Sequence, residues 1–217
     1  MPYTLYNRPG SGGFAVEAAF ALAGQPIELI SIDSQPSTDL PEDFRDINPW
    51  KQVPTLITSD GTMITETGAI LIYIAGKWPR PQTGPEPWTD AHATLMRWCV
   101  FLSANLYEGI LRFAYPARYT TDPDGHKALL AAQAARNQQA FELLEQELQN
   151  KPFLLGDTLS VADVYMAMIY NWHRERPNLP RCTALTHAVA GHPVIAPIWQ
   201  RNFGARQKTD WGNPSSD

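Results

Sequence analysis

The sequence has little cysteine. Cys99 and Cys182 stand alone and far apart, which excludes a disulfide framework and a thiolate zinc site. It has no apolar run approaching the about 18 residues needed to cross a bilayer. Its opening residues, MPYTLYNRPG, lack the basic and apolar regions of a secretion signal, so a cytoplasmic location is expected. Positive charge is also short: 17 Lys and Arg face 22 Asp and Glu, and no long basic run occurs. That balance argues against nucleic acid and anionic membranes as partners. Internal repeats and low-complexity stretches are missing too. What is present is an ordinary globular mixture, 44% hydrophobic and 18% charged over 217 residues. A chain of that size holds one large domain or two small ones with a sizeable core.

The first third reads as mixed α and β. Residues 3–6 (YTLY) form a short strand candidate, and RPGSGG at 8–13 must turn. Residues 14–24 then read as a helix, with Phe14, Ala18, Ala21 and Leu22 on one face and Gly24 as its stop. Residues 27–32 (IELISI) give a second strand. Residues 35–50 are loop-like, with one helical turn expected near Phe44. Asp60-Gly61 between the apolar runs 55–57 and 62–64 signals a hairpin. A second helix follows from Glu66 and ends before Pro79.

WPRPQTGPEPW at 78–88 carries four prolines, so it reads as a stiff linker. Beyond it strand signals vanish. Helices are expected over 89–115, 126–150, 160–173 and 193–203, with a weaker one at 183–190 and a loose polar tail. The fold class is therefore α/β followed by all-α, with domains at 1–78 and 89–217 joined by a linker at 79–88.

Two places invite a ligand. In NPWKQVPTL (48–56), Pro54 precedes a strand and cannot donate to a ladder. The bond before it is either trans, opening an edge strand, or cis, turning the Val53 N–H and C=O toward a cleft where an extended peptide could pair. In TETGAI (65–70), a helix N-terminus presents free N–H groups and partial positive charge. Glu66 and Thr67 there either cap the helix or hold the amine and carboxylate of a ligand. SVAD at 160–163 is a capping box, read as structural.

This order of features, with NPWKQVPTL, SDG, ETGAI, a proline-rich linker and LLGDTLSVADVYM (154–166), resembles the cytosolic glutathione transferases across nearly the whole chain. The resemblance implies a thioredoxin-like first domain with a cis Pro54 and an all-helical second domain. It implies that Val53 pairs with the cysteinyl unit of glutathione, while Glu66 and Thr67 hold its γ-glutamyl end. Lys51 and Gln52 flank that edge, with Lys51 a candidate partner for the glycine carboxylate. It implies a homodimer and no metal. The activity implied is transfer of the glutathione thiol to a small hydrophobic electrophile. Glutathione-dependent reduction, a catalytically silent glutathione-binding protein and a scaffold without glutathione are the alternatives.

A thiolate is the attacking species. Lowering a thiol pKa from about 8.5 by two units needs about 2.7 kcal/mol. A hydrogen bond to the anion supplies about 1.5–3 kcal/mol and a helix N-terminus about 0.3–1 kcal/mol. One hydroxyl at the first helix would suffice. Ser11 is the favoured donor, with Tyr6 and Asn7 as rivals and the Gly12 and Gly13 N–H groups as helpers. The position of the beta-class cysteine falls on Gly12, so this loop offers no protein thiol for redox chemistry. The hydrophobic pocket is expected from Phe101, Asn105, Tyr107 and Trp172, with Arg97 and Arg112 nearby. Tyr107 aligns with a pocket-facing histidine of beta-class enzymes. Cys99 and His173 are read as structural.

Overall fold

The computed structural model describes residues 1–32, 42–173 and 178–204. Strand β1 (Thr4–Asn7) turns into helix α1 (Gly13–Ala23), and β2 (Glu28–Ser31) returns parallel to β1. Parallel neighbours require a crossover, which α1 provides. Helix α2 (Glu42–Ile47) is the helical turn expected near Phe44, slightly extended. Strands β3 (Thr55–Ile57) and β4 (Met63–Ile64) then form the hairpin, with Thr58 N–H donating to the Thr62 carbonyl at 2.9 Å across Asp60-Gly61. The sheet order is β2-β1-β3-β4, with β3 antiparallel to both of its neighbours. Helix α3 (Thr67–Lys77) completes a thioredoxin-like unit.

Alternation along β1 sorts its side chains to two faces. Leu5 joins the main core with α1 and α3, whereas Tyr6 joins Ile32, Phe44 and Val53 in a small cluster. Ten of the eleven α1 residues are buried, because α1 packs on α3 and also meets helices of the second half. Gly24 stops α1 in the left-handed region (φ 64°), its N–H donating to the Ala21 carbonyl.

The second half contains helices α4 (Asp90–Phe101), α5 (Glu108–Ala114), α6 (His126–Glu147), α7 (Val161–Trp172), α8 (Pro180–Gly191) and α9 (Ala196–Phe203). The one helix expected over 89–115 is interrupted by a π-helical segment, Leu102–Tyr107. Two side chains there claim main-chain carbonyls one turn back: Ser103 Oγ donates to Cys99 O at 2.9 Å and Asn105 Nδ2 to Phe101 O at 3.1 Å. Such bonds compete with the helical ladder and bend it. Helix α8 is longer than the weak signal at 183–190, because Pro180 sits at its first turn, where its missing N–H costs nothing.

The proline-rich segment is folded down rather than spanning open space. Thr83 is fully buried, donates to the Trp78 carbonyl at 2.7 Å and accepts the Val161 N–H on its own carbonyl at 3.2 Å. One continuous core then runs from Phe14 and Ile70 to Trp98, Phe141 and Tyr165, joining both halves. Among the described residues no helix is long and apolar enough to cross a membrane. The expected polar loop at 35–41 and most of the expected tail lie outside the described residues.

Candidate functional site

The loop before β3 is built by one residue. Asn48 is almost fully buried, and its Nδ2 donates to the Gln52 carbonyl at 2.8 Å and to Thr55 Oγ1 at 2.9 Å. Its Oδ1 accepts the Trp50 N–H at 3.0 Å. With that frame set, Lys51 takes a positive φ of 59° and stands exposed with Gln52. The bond between Val53 and Pro54 is cis. The Val53 main chain takes no hydrogen-bond partner among the described residues.

Helix α3 starts uncapped by any side chain, and Glu66 before it adopts φ 64° and ψ 113°. Glu66 and Lys51 are two of three non-glycine residues at positive φ among the described residues. Such backbone strain gathers at functional sites. Thr67 is 4% exposed, and its hydroxyl has no partner among the described residues. A buried hydroxyl left in that state is costly unless something else occupies it.

The turn between β1 and α1 is held by two helices of the second half. The Gly10 N–H donates to Asn202 Oδ1 of α9 at 2.9 Å, and its carbonyl accepts from Trp172 Nε1 of α7 at 3.1 Å. Gly10 itself has φ 73°, a conformation that glycine adopts without strain. Ser11 is buried; its hydroxyl donates to Asn7 Oδ1 at 2.7 Å and receives the Gly13 N–H at 3.4 Å. A Cβ on Gly13 would fall 1.9 Å from Asn7 Oδ1, so only glycine fits there. Tyr6 lies elsewhere, with its ring 5.4 Å from that of Phe44.

Gly12 is where the parts converge. A Cβ built on it would lie 2.4 Å from Thr67 Oγ1, 2.7 Å from the Tyr107 hydroxyl and 3.2 Å from Pro54 Cδ. The Gly12 N–H takes no partner among the described residues, and Gly12 brings no side chain to cap α1, whose first N–H, that of Gly13, reaches Ser11 Oγ at 3.4 Å. Tyr107 ends the π segment and is half-buried. Its ring meets Trp172 edge-on at 5.2 Å and Tyr165 at 6.1 Å. Burial pushes its phenol up to about 12, and Arg8 and the nearby Thr67 hydroxyl pull the other way. The Thr67 hydroxyl comes near enough to ease ionisation of the phenol but falls short of hydrogen-bond geometry.

Of the four expected pocket residues, the structure therefore brings Tyr107 and Trp172 together beside the loop. Phe101 instead packs edge-on against Trp98 at 5.7 Å, and Asn105 Oδ1 accepts from Arg136 Nη2 at 3.3 Å. Cys99 is buried, and burial pushes its thiol up to about 12. His173 stacks 5.0 Å from Phe141. Sequence reasoning missed Asn48, although Asn-Pro is a turn-opening pair. It also missed Asn202, for which no local signal exists.

A thioredoxin-like sheet unit joined to an all-helical unit, with two helix starts meeting at one loop, defines a recognisable class. The family model for the glutathione S-transferase N-terminal domain matches residues 1–76, and that for the C-terminal domain matches residues 107–190. The chain belongs to the cytosolic glutathione transferase superfamily. It is 25% identical over 203 residues to the uncharacterized GST-like protein YncG of Escherichia coli K12, covering 91% of this chain and 97% of that one. It is 24% identical to the glutathione S-transferase GstA of Escherichia coli O157:H7, covering 77% of this chain and 81% of that one. Among solved structures, BphK, a bacterial GST seen as a ternary complex, is 26% identical with a TM-score of 0.80, covering 91% and 98% of the two chains. A Sulfitobacter glutathione transferase homolog solved with bound glutathione shares the fold at a TM-score of 0.80 and 24% identity, covering 91% of this chain and 96% of that one.

Proposed function

We propose that this protein binds glutathione along the Val53 edge and turns its thiol on a small hydrophobic electrophile. The observation that carries the reading is a convergence. The unpaired Val53 main chain ahead of β3 and the starts of α3 and α1, neither capped by the side chain of the residue before it, all border Pro54 and Gly12. An extended tripeptide with a charged glutamyl end and a thiol in the middle suits that arrangement. In the reading, the Val53 main chain pairs with the cysteinyl unit. Glu66 takes the γ-glutamyl amine, the Thr67 hydroxyl takes its carboxylate, and Lys51 with Gln52 faces the glycine end. The neighbouring structure with bound glutathione supports glutathione as the co-substrate, and no metal enters the reading.

In the reaction the sulfur forms a bond to carbon, the leaving group departs with its electron pair, and the thiol proton passes to solvent. Tyr107 and Trp172 border the electrophile's side. Disulfide chemistry through a protein thiol has no place here, since the loop carries no cysteine and both cysteines are buried. A second reading, glutathione binding without turnover, is favoured by one observation: the Ser11 hydroxyl already donates to Asn7. Titration calorimetry with glutathione tests the binding claim. Saturable heat below millimolar concentration is expected, and none up to that level would end the reading. Turnover of aryl halides, enones, peroxides and mixed disulfides separates transferase, reductase and silent binder.

We further place the protein in the cytoplasm as a homodimer. Trp50 at 71% exposed, with Val100 and Met96 exposed on α4, offers apolar surface for a second copy. Light scattering of the purified chain should give twice the 24.2 kDa monomer mass, and the monomer mass would remove the claim.

A further inference from the structure

We infer that the Tyr107 phenol, carried to the loop by the helical half, donates the hydrogen bond that holds the glutathione sulfur as a thiolate beside Gly12. This rests on the glutathione reading and assigns its activating group.

The donors on the loop sort by what they already do. Ser11 has one hydroxyl proton, and Asn7 Oδ1 accepts it at 2.7 Å. Asn7 accepts that bond on its oxygen and keeps its amide donors, but its Nδ2 lies against Gly13, whereas the nearest atoms to the Cβ position of Gly12 belong to Thr67, Tyr107 and Pro54. Thr67 also has a single proton, which the reading above commits to the glutamyl carboxylate. Tyr6 sits with Phe44, Ile32 and Val53 in the cluster opposite the main core. Tyr107 remains. Its hydroxyl lies 2.7 Å from the position a Cβ on Gly12 would take, with the Thr67 hydroxyl as its polar neighbour there. The Gly12 N–H opens α1 at the same point without a partner among the described residues. A sulfur resting against the Gly12 main chain and Pro54 thus meets one phenol and one helix-end amide.

The phenol is also held in place. Trp172 meets its ring edge-on at 5.2 Å, and the same Trp172 donates to the Gly10 carbonyl at 3.1 Å, so loop and phenol share one brace. The π segment sets the register. Its extra residue turns the chain after it by about 100°, since an α-helix holds about 3.6 residues per turn. With burial keeping the phenol protonated far above neutral pH, it can donate and does not compete with the thiol for ionisation. The thiol proton leaves to water and the phenol keeps its own.

The test is the ultraviolet thiolate band of bound glutathione, titrated against pH in the wild type, Tyr107→Phe and Ser11→Ala. Losing a hydrogen bond to an anion is expected to raise the bound thiol's pKa by about one to two units in Tyr107→Phe, from about 6.5, which leaves about 3- to 25-fold less thiolate at neutral pH. Ser11→Ala is expected to move it less. S-methylglutathione, which has no thiol to ionise, should bind Tyr107→Phe within about threefold of wild type, because the tripeptide contacts remain. Gly12→Ala provides an independent arm. Its backbone (φ −56°, ψ −20°) accepts alanine, but the methyl would press on both hydroxyls, so the band should fall. An unchanged band in Tyr107→Phe or Gly12→Ala, or a larger loss in Ser11→Ala, overturns the inference while leaving glutathione binding intact. If the wild type fails to bind S-methylglutathione, the broader reading falls with it.

Discussion

Helices α3 and α7 both begin with a hydroxyl residue and a carboxylate, yet one start is sealed and the other open. At α7, Asp163 follows Ser160 by three residues, the spacing of a capping box. The fully buried Asp163 carboxylate accepts the Leu154 N–H and the Ser160 N–H at 2.7 Å each, and the Ser160 hydroxyl at 2.8 Å. At α3, Glu66 and Thr67 are adjacent, and Glu66 sits at φ 64° outside the helix. Neither closes on the helix amides, and the Thr67 hydroxyl stays buried and unpartnered among the described residues. The same chemical pair serves stability when its spacing lets it satisfy itself, and is left open to a ligand, glutathione in the reading proposed above, when it does not. The start of α1 is closed only in part: Ser11 takes the Gly13 and Phe14 N–H groups, and Gly12 has no side chain with which to seal its own.

Substitutions should split along that line. The largest effect is expected from Asp163→Ala, which strands three buried donors and should cost about 3 kcal/mol or more by urea unfolding. The folded fraction should still bind glutathione. A loss of affinity without a loss of stability would show that the two helix starts are not of different kinds. Glu66→Ala should do the reverse, weakening glutathione about 10- to 100-fold in calorimetry while unfolding stays within about 0.5 kcal/mol of wild type. Ser160→Ala should be milder than Asp163→Ala, at about 1–2 kcal/mol, because the Asp163 carboxylate keeps its two amide donors.

The subtlest contrast lies in pH. Burial lifts Asp163 to about 6, against the pull of its three donors. The folded chain then holds that proton more tightly than the unfolded chain does. The contribution favours folding fully below about pH 4 and is lost as pH rises through about 6. Wild type should therefore lose stability relative to Asp163→Asn over that interval, as read from urea midpoints at a series of pH values. A difference that stays flat from pH 4 to 6 would count against it.

What the sequence revealed was local. The Gly24 stop, the Asp60-Gly61 hairpin and the 160–163 box each rest on residues within a few positions of one another, and each stands where expected. The π segment was hidden because it depends on Ser103 and Asn105 outbidding the helix for carbonyls, a close contest that periodicity does not show. The commitment of Ser11 was hidden for a related reason. Its partner Asn7 lies four residues away on a strand, and only the bend of the turn brings them together. The grip of Asn202 on Gly10 had no sequence signature, since it spans 192 positions.

That grip has a temporal side. On a ribosome the turn at Gly10 emerges among the earliest residues, while Trp172 and Asn202 arrive only after most of the chain has been made. A nascent fragment that stops short of α9 can lay down its first strands yet leaves the Gly10 amide without its partner. The earliest loop to be synthesised is thus among the last to be finished.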